Sequence, residues 1–450
     1  MSKPLNLTEG HVGPTLLRLT APVLIGIGSV ISISVADTWF ISRLGTTELA
    51  AMGFIGPVVH ALAMLAIGLG AGASSLLSRR IGAQHAAGEA DESIPRLATD
   101  ALWLAATVSL TVMALGLLGT DPLFRALGAG PEVMPHIHDF MGIWFMGVLF
   151  MIIPMVANNL MRATGDTAMA ARIMLTSAFL NLLLDPLLIF GLAGFPRLEM
   201  QGAALATVLA RFIAMVVALV LLHRRKHLID WRLPRRDHLL DHWNRLLRLS
   251  GPAALSNMAQ PLGITVIVSL VALSGAEAVA GFGAATRVEA LSFVPAFALA
   301  LGLTPFIGQN WGAGRIDRAQ AAFRWVLRAL LLWGLLLAVL CFVFAPALAA
   351  LFSDEPAVRQ HIQLYLRWVP WTWSMDALAI VAGSAWLAMG RPLLELTMMA
   401  GRFVVVYIPL AFVLSRGFGF EGILMAAITS NMASGLFAWV VTRRLVRAPG

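Results

Sequence analysis

The chain has 450 residues, 59% of them hydrophobic and only 12% charged, with a mean hydropathy of +0.81. A soluble globular chain is about 45–50% apolar and about 25% charged, so a water-soluble enzyme or binding domain is excluded and a polytopic membrane protein is implied. The net charge of +8 does not point to nucleic acid, because Lys and Arg gather at the ends of apolar runs and in HRRKHLIDWRLPRRDHLLDHWNRLLR (223–248), where membrane orientation requires them.

Apolar runs long enough to cross the hydrocarbon give twelve predicted spans, all helical, since lipid leaves the backbone no partner except itself. In the first half they are 15–43, 53–80, 98–119, 136–162, 168–193 and 200–223. The second half supplies 246–273, 283–309, 322–346, 358–388, 392–415 and 420–444. The first run is too long for a cleaved leader and reads as a retained span. Basic residues are dense in loops 2–3, 6–7 and 8–9 (Arg79, Arg80, Arg96, Arg224 to Arg248, Arg315, Arg318, Arg324, Arg328) and sparse in the alternate loops, which places both termini in the cytoplasm. The single cysteine, Cys341, lies in an apolar run and reads as packing.

The second half repeats the first. LTAP (19–22) returns as LSGP (249–252), and at the same offset Gly45, Gly53, Gly72 and Gly82-Ala83 match Gly275, Gly283, Gly302 and Gly312-Ala313. The expected architecture is an all-α protein of twelve transmembrane helices in two pseudo-symmetric six-helix bundles, related by an axis along the membrane normal. The predicted divisions are an N-terminal lobe 1–222, a cytoplasmic basic linker 223–248 and a C-terminal lobe 249–450. The linker histidines His223, His227, His238 and His242 are irregularly spaced among arginines and read as solvated rather than as a metal site.

Chemistry is expected where polar residues enter the spans. At 1.5 Å per residue, Asp37 on the first span lies about 10 Å beyond the midplane on the outer side, and Asp185 on the fifth about 7 Å beyond it. Thr207, on the sixth, falls in the same outer half. Asn181 and Asp185 are four apart and share a helix face, and Pro186 cannot bond the Leu182 carbonyl, which leaves a free oxygen and a predicted kink beside the pair. A charge at the bilayer centre costs about 2.5–3.5 kcal/mol, so converging acids mark an ion site rather than packing. Asp376, Arg287 and Glu289 form a second candidate set, for a cation site or substrate cavity, in the second half. Glu395 and Arg402 are expected to pair, His60 to be a bonded core histidine, Arg211 to balance a carboxylate, and Gly68, Gly70 and Gly72 to allow close helix packing. The 21 methionines suit a plastic cavity or lipid-facing filler. No phosphate loop, no metal-ligand spacing and no nucleophile–base pair is present, so no enzyme activity is expected.

VADTWFISRLGTTELAAMGF (35–54), GLGAGASSLLSRRIGA (68–83), RATGDTAMA (162–170), NLLLDP (181–186) and QGAALATVLA (201–210), with GAEAVAGFGAATRVEAL (275–291) and GQNWGAG (308–314), resemble the multidrug and toxic compound extrusion (MATE) transporters along essentially the whole chain. The resemblance implies an antiporter that expels amphipathic, often cationic compounds against an inward proton or sodium gradient. In the DinF-type branch it implies an ion site made of a helix 1 aspartate, an Asn-x-x-x-Asp pair on helix 5 and a helix 6 threonine, here Asp37, Asn181, Asp185 and Thr207. The NorM-type branch places a glutamate on helix 7 and an aspartate on helix 10; here these positions hold Gln260, which cannot ionise, and Asp376. The DinF-type reading is therefore favoured.

The expected protein is an ion-coupled antiporter, with protons favoured over sodium, working by alternating access between two lobes. It needs no cofactor beyond the transported ion. Its partners are the lipid bilayer and small amphipathic or cationic substrates, not nucleic acid, and it acts as a monomer in a bacterial cytoplasmic membrane. The rivals are a lipid-linked precursor flippase of the same superfamily and a non-transporting receptor or scaffold; the acids at matched depth favour the antiporter.

Overall fold

The computed structural model describes residues 6–89, 91–230 and 236–447, with the side chains of 236–238 and 447 outside the described set. The readings made for Arg232, Arg235, Arg236 and His238 fall outside it. Among the described residues every regular element is helical. In chain order these are α1 (Val12–Ser42), α2 (Thr46–Ala87), α3 (Ser93–Ala126), α4 (Met134–Met146), α5 (Leu149–Ala163), α6 (Thr167–Phe190), α7 (Glu199–Arg224) and α8 (Arg236–Val271). Then come α9 (Ala276–Ser292), α10 (Val294–Gly312), α11 (Ile316–Phe352), α12 (Pro356–Trp368), α13 (Trp373–Ala388), α14 (Pro392–Ala400) and α15 (Ile408–Arg447), with a π-helical turn Gly401–Tyr407 between the last two.

Twelve spans follow from these helices. α4 and α5 bend by 48° at their junction and make one span. α9 with α10 makes another, as does α12 with α13 across the 3-10 turn Val369–Thr372, where Pro370 interrupts the hydrogen-bond ladder. The helical run Pro392–Val446 is 55 residues, about 80 Å at helical rise, and breaks at Gly419 (φ 55, ψ −131) into two spans. Several helices outrun their predicted limits. α2 covers 42 residues, about 63 Å: it runs on through Pro57 and its internal glycines and ends only where Gly88 adopts a left-handed φ of 73. Beyond it, Ser93 donates its hydroxyl (2.6 Å) and its N–H (2.9 Å) to Asp91, which with Arg80 beside it holds that loop carboxyl below its ordinary range.

Contacts divide the chain into two compact units, one centred on Ala21–Ala254 and the other on Leu7–Thr20 together with the chain from Leu255 onward. The repeated Leu-x-x-Pro element, at Pro22 and again at Pro252, sits close to where the chain passes from one unit to the other.

In the first unit α2, α3, α4, α5, α6 and α7 pack on one another around Phe124, Ile137, Met141, Ile152 and Val156. The middle of α8 lies against α2 at Gly68 and Gly72, while Gly70 lies against Asn159 of α5, so the three glycines serve close helix packing as predicted. A Cβ at Gly68 would stand 2.5 Å from the Ala254 Cα, and one at Gly72 would stand 2.8 Å from the Ser250 nitrogen. Ser250 uses the approach to donate to the Leu69 carbonyl at 3.2 Å. Because backbone, not a flexible side chain, fills the space, Gly68→Val is expected to lower unfolding stability by about 1–3 kcal/mol, read as a fall in thermal midpoint in detergent; Gly28→Ala, in open space, is the control.

The linker is less solvated than its composition suggests. α8 begins at Arg236, and His242 Nδ1 lies 2.7 Å from Asp100, a carboxylate with 0% exposure on α3. Trp243 donates its indole N–H to the Asp100 carbonyl at 3.0 Å, and the Asp230 N–H reaches Thr99 at 2.9 Å. In the second unit Arg318 performs a comparable fastening: its guanidinium donates to the carbonyls of Gly10 (2.7 Å) and Glu9 (2.9 Å) and to Asn310 (2.9 Å), whose amide holds the Leu7 carbonyl.

Candidate functional site

The first unit assembles the predicted ion site. Asp166 starts α6 by accepting the Met169 N–H at 3.0 Å, and Lys226 lies 2.8 Å from the same carboxylate. From that cap α6 runs as one helix through Pro186 to Phe190, and the proline has no N–H to give the Leu182 carbonyl. α7 comes unusually close to α6 because Gly202 has no side chain, and a Cβ there would lie 2.6 Å from the Leu188 carbonyl carbon. That approach lets Thr207 reach Asn181.

Asn181 (4% exposed) extends its amide N–H to Thr207 Oγ1 at 3.3 Å and to Asp185 Oδ1 at 3.4 Å, both long contacts. Thr207 gives its own proton to the Ala203 carbonyl at 3.1 Å, so its oxygen is free to accept. Asp185 is 1% exposed, and the Asp37 carboxyl on α1 meets it side by side, within hydrogen-bonding reach. Arg211, the residue directly after the QGAALATVLA motif, lies close enough to Asp37 for electrostatic attraction, the balancing role expected of it.

The cluster is short of donors. Asp37 Oδ1, Asn181 Oδ1 and Asp185 Oδ2 are all buried without a hydrogen-bond partner. Two facing carboxylates are acceptors only, so their contact is repulsive until something positive enters. A proton shared between them, or a small cation among the three oxygens, would satisfy the arrangement; the hard oxygen donor set suits either.

The second candidate set is regrouped. Arg402 (9% exposed) turns both terminal nitrogens to Asp376, Nη1 to Oδ1 and Nη2 to Oδ2 at 3.0 Å, and Nη2 also donates to Asn431 at 2.8 Å. Asn431 in turn donates to Thr372 at 3.0 Å. Glu289 accepts the Tyr365 hydroxyl. Gln260 and Arg287 are exposed and enter none of these contacts. The expected Glu395–Arg402 pair does not form: Glu395 packs against Gly383, with Oε2 buried and unpartnered, while Arg402 belongs to Asp376. His60 is exposed rather than a core histidine. Sequence reasoning gave Arg402 the wrong partner and missed Asn431, Thr372 and Tyr365. One signal was there to be read: the chain has only two tyrosines, and both Tyr365 and Tyr407 lie in this cluster.

An all-helical chain of twelve spans, built from a repeated half and carrying acids in the middle of its helices, is a membrane transporter. It belongs to the MATE family: the MatE family model matches residues 22–187 and again 252–413, once in each half and each time from the repeated proline. Among proteins it resembles is the FAD transporter of Shewanella oneidensis, 38% identical over 439 residues that cover 98% of this chain and 96% of that one. Another is the probable multidrug resistance protein NorM of Thermotoga maritima, 26% identical over 335 residues, 73% of this chain and 70% of that one. The fold matches a crystal structure of the Vibrio cholerae MATE transporter VcmN in its bent form, with a TM-score of 0.90 at 28% identity and 97% coverage of each chain.

Proposed function

We propose that this chain is a proton-driven antiporter, working by alternating access, that exports amphipathic or cationic compounds from a bacterial cytoplasm, with Asp37, Asn181, Asp185 and Thr207 as its ion-coupling site. The observation that carries the reading is the set of three buried, unpartnered oxygens on Asp37, Asn181 and Asp185, two of them from carboxyls in contact. Ion binding must favour one conformation over another to drive a cycle. A facing acid pair provides that preference, since approach favours a shared proton and separation favours two charges. The DinF-type assignment has the same support, because Gln260 cannot ionise and Asp376 is occupied by Arg402. In this reading the chain acts as a monomer with both termini inside.

The test is ethidium export from proteoliposomes under an imposed pH gradient, with and without sodium at clamped pH. Export should follow the pH gradient and ignore sodium. Export that follows sodium instead would assign the oxygen cluster to that ion, and full coupled export by Asp37→Asn would remove Asp37 from the site.

The similarity to a protein named as an FAD transporter, over 98% of this chain, favours a second reading of the cargo as a flavin dinucleotide. Liposomes loaded with FAD and ethidium together separate the two: selective FAD export several-fold above protein-free liposomes would make the dinucleotide the substrate, and ethidium export alone would exclude it.

A further inference from the structure

At the end of the second unit away from the linker and the C-terminus, α8, α12 and α15 leave a cavity of about 470 Å³ between them. None of its lining residues belongs to the clusters described above. Glycine builds it at two places. Gly419 (φ 55, ψ −131) turns the run Pro392–Val446 back on itself, so closely that a Cβ at Gly422 would stand 2.5 Å from the Leu414 carbonyl carbon. α12 closes on α9 because Gly281 has no side chain; a Cβ there would stand 2.5 Å from the His361 Cβ. The His361 ring then meets the Phe420 ring edge to face, with centroids 4.8 Å apart. His361 Nδ1 lies 2.8 Å from the Ala357 carbonyl, which can only accept, so Nδ1 carries the proton. Nε2 of the neutral ring is left as an acceptor without a partner among the described residues. The Ser274 hydroxyl, in the 3-10 turn after α8, also makes no hydrogen bond among them.

Arg416 supplies the charge of the cavity. Its guanidinium carbon sits 4.2 Å from the centre of the Phe412 ring, which holds the group in place, and it has no ion pair among the described residues. Arg359, in the first turn of α12, is by contrast committed, to Asp354 at 2.8 Å and to the Ser353 carbonyl at 2.6 Å. Glu277 and Glu421, the exposed acids nearest in sequence, do not line the cavity. From Arg416 the same helix face runs on through Phe412, Val413, Pro409 and Val405, all exposed. That apolar strip is about 16 Å long at helical rise, matching one leaflet of hydrocarbon at about 15 Å. A guanidinium and an unused hydroxyl above an apolar strip fit a phosphodiester with an acyl chain attached, since Arg takes phosphate oxygens in pairs and basic pockets between membrane helices take lipid head groups. The unpartnered Nε2 requires a donor besides, which a headgroup hydroxyl provides. We propose that the cavity binds an anionic phospholipid of the phosphatidylglycerol type. Its phosphate lies on Arg416 and Ser274, a glycerol hydroxyl donates to His361 Nε2, and an acyl chain follows Phe412 to Val405. A choline headgroup has no proton for His361 and sets a second cation beside Arg416. The site is separate from the ion-coupling cluster and does not depend on which ion or cargo the chain carries.

The experiment is native mass spectrometry of the full chain released from vesicles holding equal amounts of phosphatidylglycerol, phosphatidylmethanol and phosphatidylcholine. Phosphatidylmethanol has the charge of phosphatidylglycerol but no hydroxyl. Wild type should retain phosphatidylglycerol about fivefold over phosphatidylcholine, the factor expected of one basic residue near a headgroup. Arg416→Gln should remove that preference, whereas Arg359→Gln, which deletes a committed charge at the same end, should keep it. Ser274→Ala should weaken retention of both anionic lipids. His361→Phe keeps a ring against Phe420 and should make the two anionic lipids equal while both stay above phosphatidylcholine. Thermal unfolding confirms that each variant is folded. Equal losses in Arg416→Gln and Arg359→Gln would reduce the effect to surface charge, and wild type without a preference would leave the cavity without a lipid; either result overturns the proposal. Displacement of the retained lipid by an equal concentration of glycerol 3-phosphate would make this a site for a soluble phosphate and overturns it as well.

Discussion

Asp185→Asn should abolish accumulation driven by a pH gradient while leaving a folded protein that still exchanges substrate downhill. The side chain is nearly isosteric, and its new amide can donate to Asp37, with which Asp185 is in contact. It would thus act as a permanent stand-in for the shared proton. A ligand that no longer distinguishes two conformations shifts nothing between them, however tightly it binds. Concentrative export should therefore fall by at least about tenfold, the equivalent of about 1.4 kcal/mol of lost bias. Stability should stay level or rise, because the substitution removes a buried like-charge contact and gives a donor to a cluster with three unpartnered acceptors. Counterflow and gradient-driven uptake measured on the same proteoliposomes separate the two activities. Retained concentrative export would remove Asp185 from the coupling site.

Much of that site could be read from the chain. The four-residue spacing of Asn181 and Asp185 fixes their common face, and helical rise alone brings Asp37, Asp185 and Thr207 to similar depth. What could not be read is how closely α6 and α7 approach. That depends on Gly202 meeting the Leu188 backbone, a contact between helices that no single-helix pattern records. The second unit was less legible for a related reason. Glu395 and Arg402, seven apart, would share a face on a regular α-helix. The π-helical turn Gly401–Tyr407 alters the residue count per turn, and Arg402 meets Asp376 and Asn431 instead. The linker failed differently. Its charges made 223–248 look solvated, yet His242 and Trp243 sit side by side on α8 and both fasten to Asp100, a pairing between segments more than a hundred residues apart.

Arg402→Met should be the most destabilising of the substitutions considered. It leaves the Asp376 carboxylate, 3% exposed, without its counterion, and strips Asn431 of a donor. Removing one partner of a buried ion pair costs about 3–5 kcal/mol, far more than the pair contributes when intact, since desolvation offsets most of the attraction. The guanidinium is itself imperfectly satisfied, with Nε buried and unpaired, so little net stability is expected from it as built. The double variant Arg402→Met with Asp376→Leu should recover most of the loss, because an apolar pair replaces a charged one. Thermal unfolding in lipid measures both steps of the cycle. If the pair only holds the unit together, the double variant should also recover transport. If its charge sets the field around Glu289, the double variant should be stable but altered in how its transport depends on pH, because Glu289 lies within range of both Asp376 and Arg402. A double variant as unstable as Arg402→Met alone would show that the cost lies in packing of the π-helical turn rather than in an uncompensated charge.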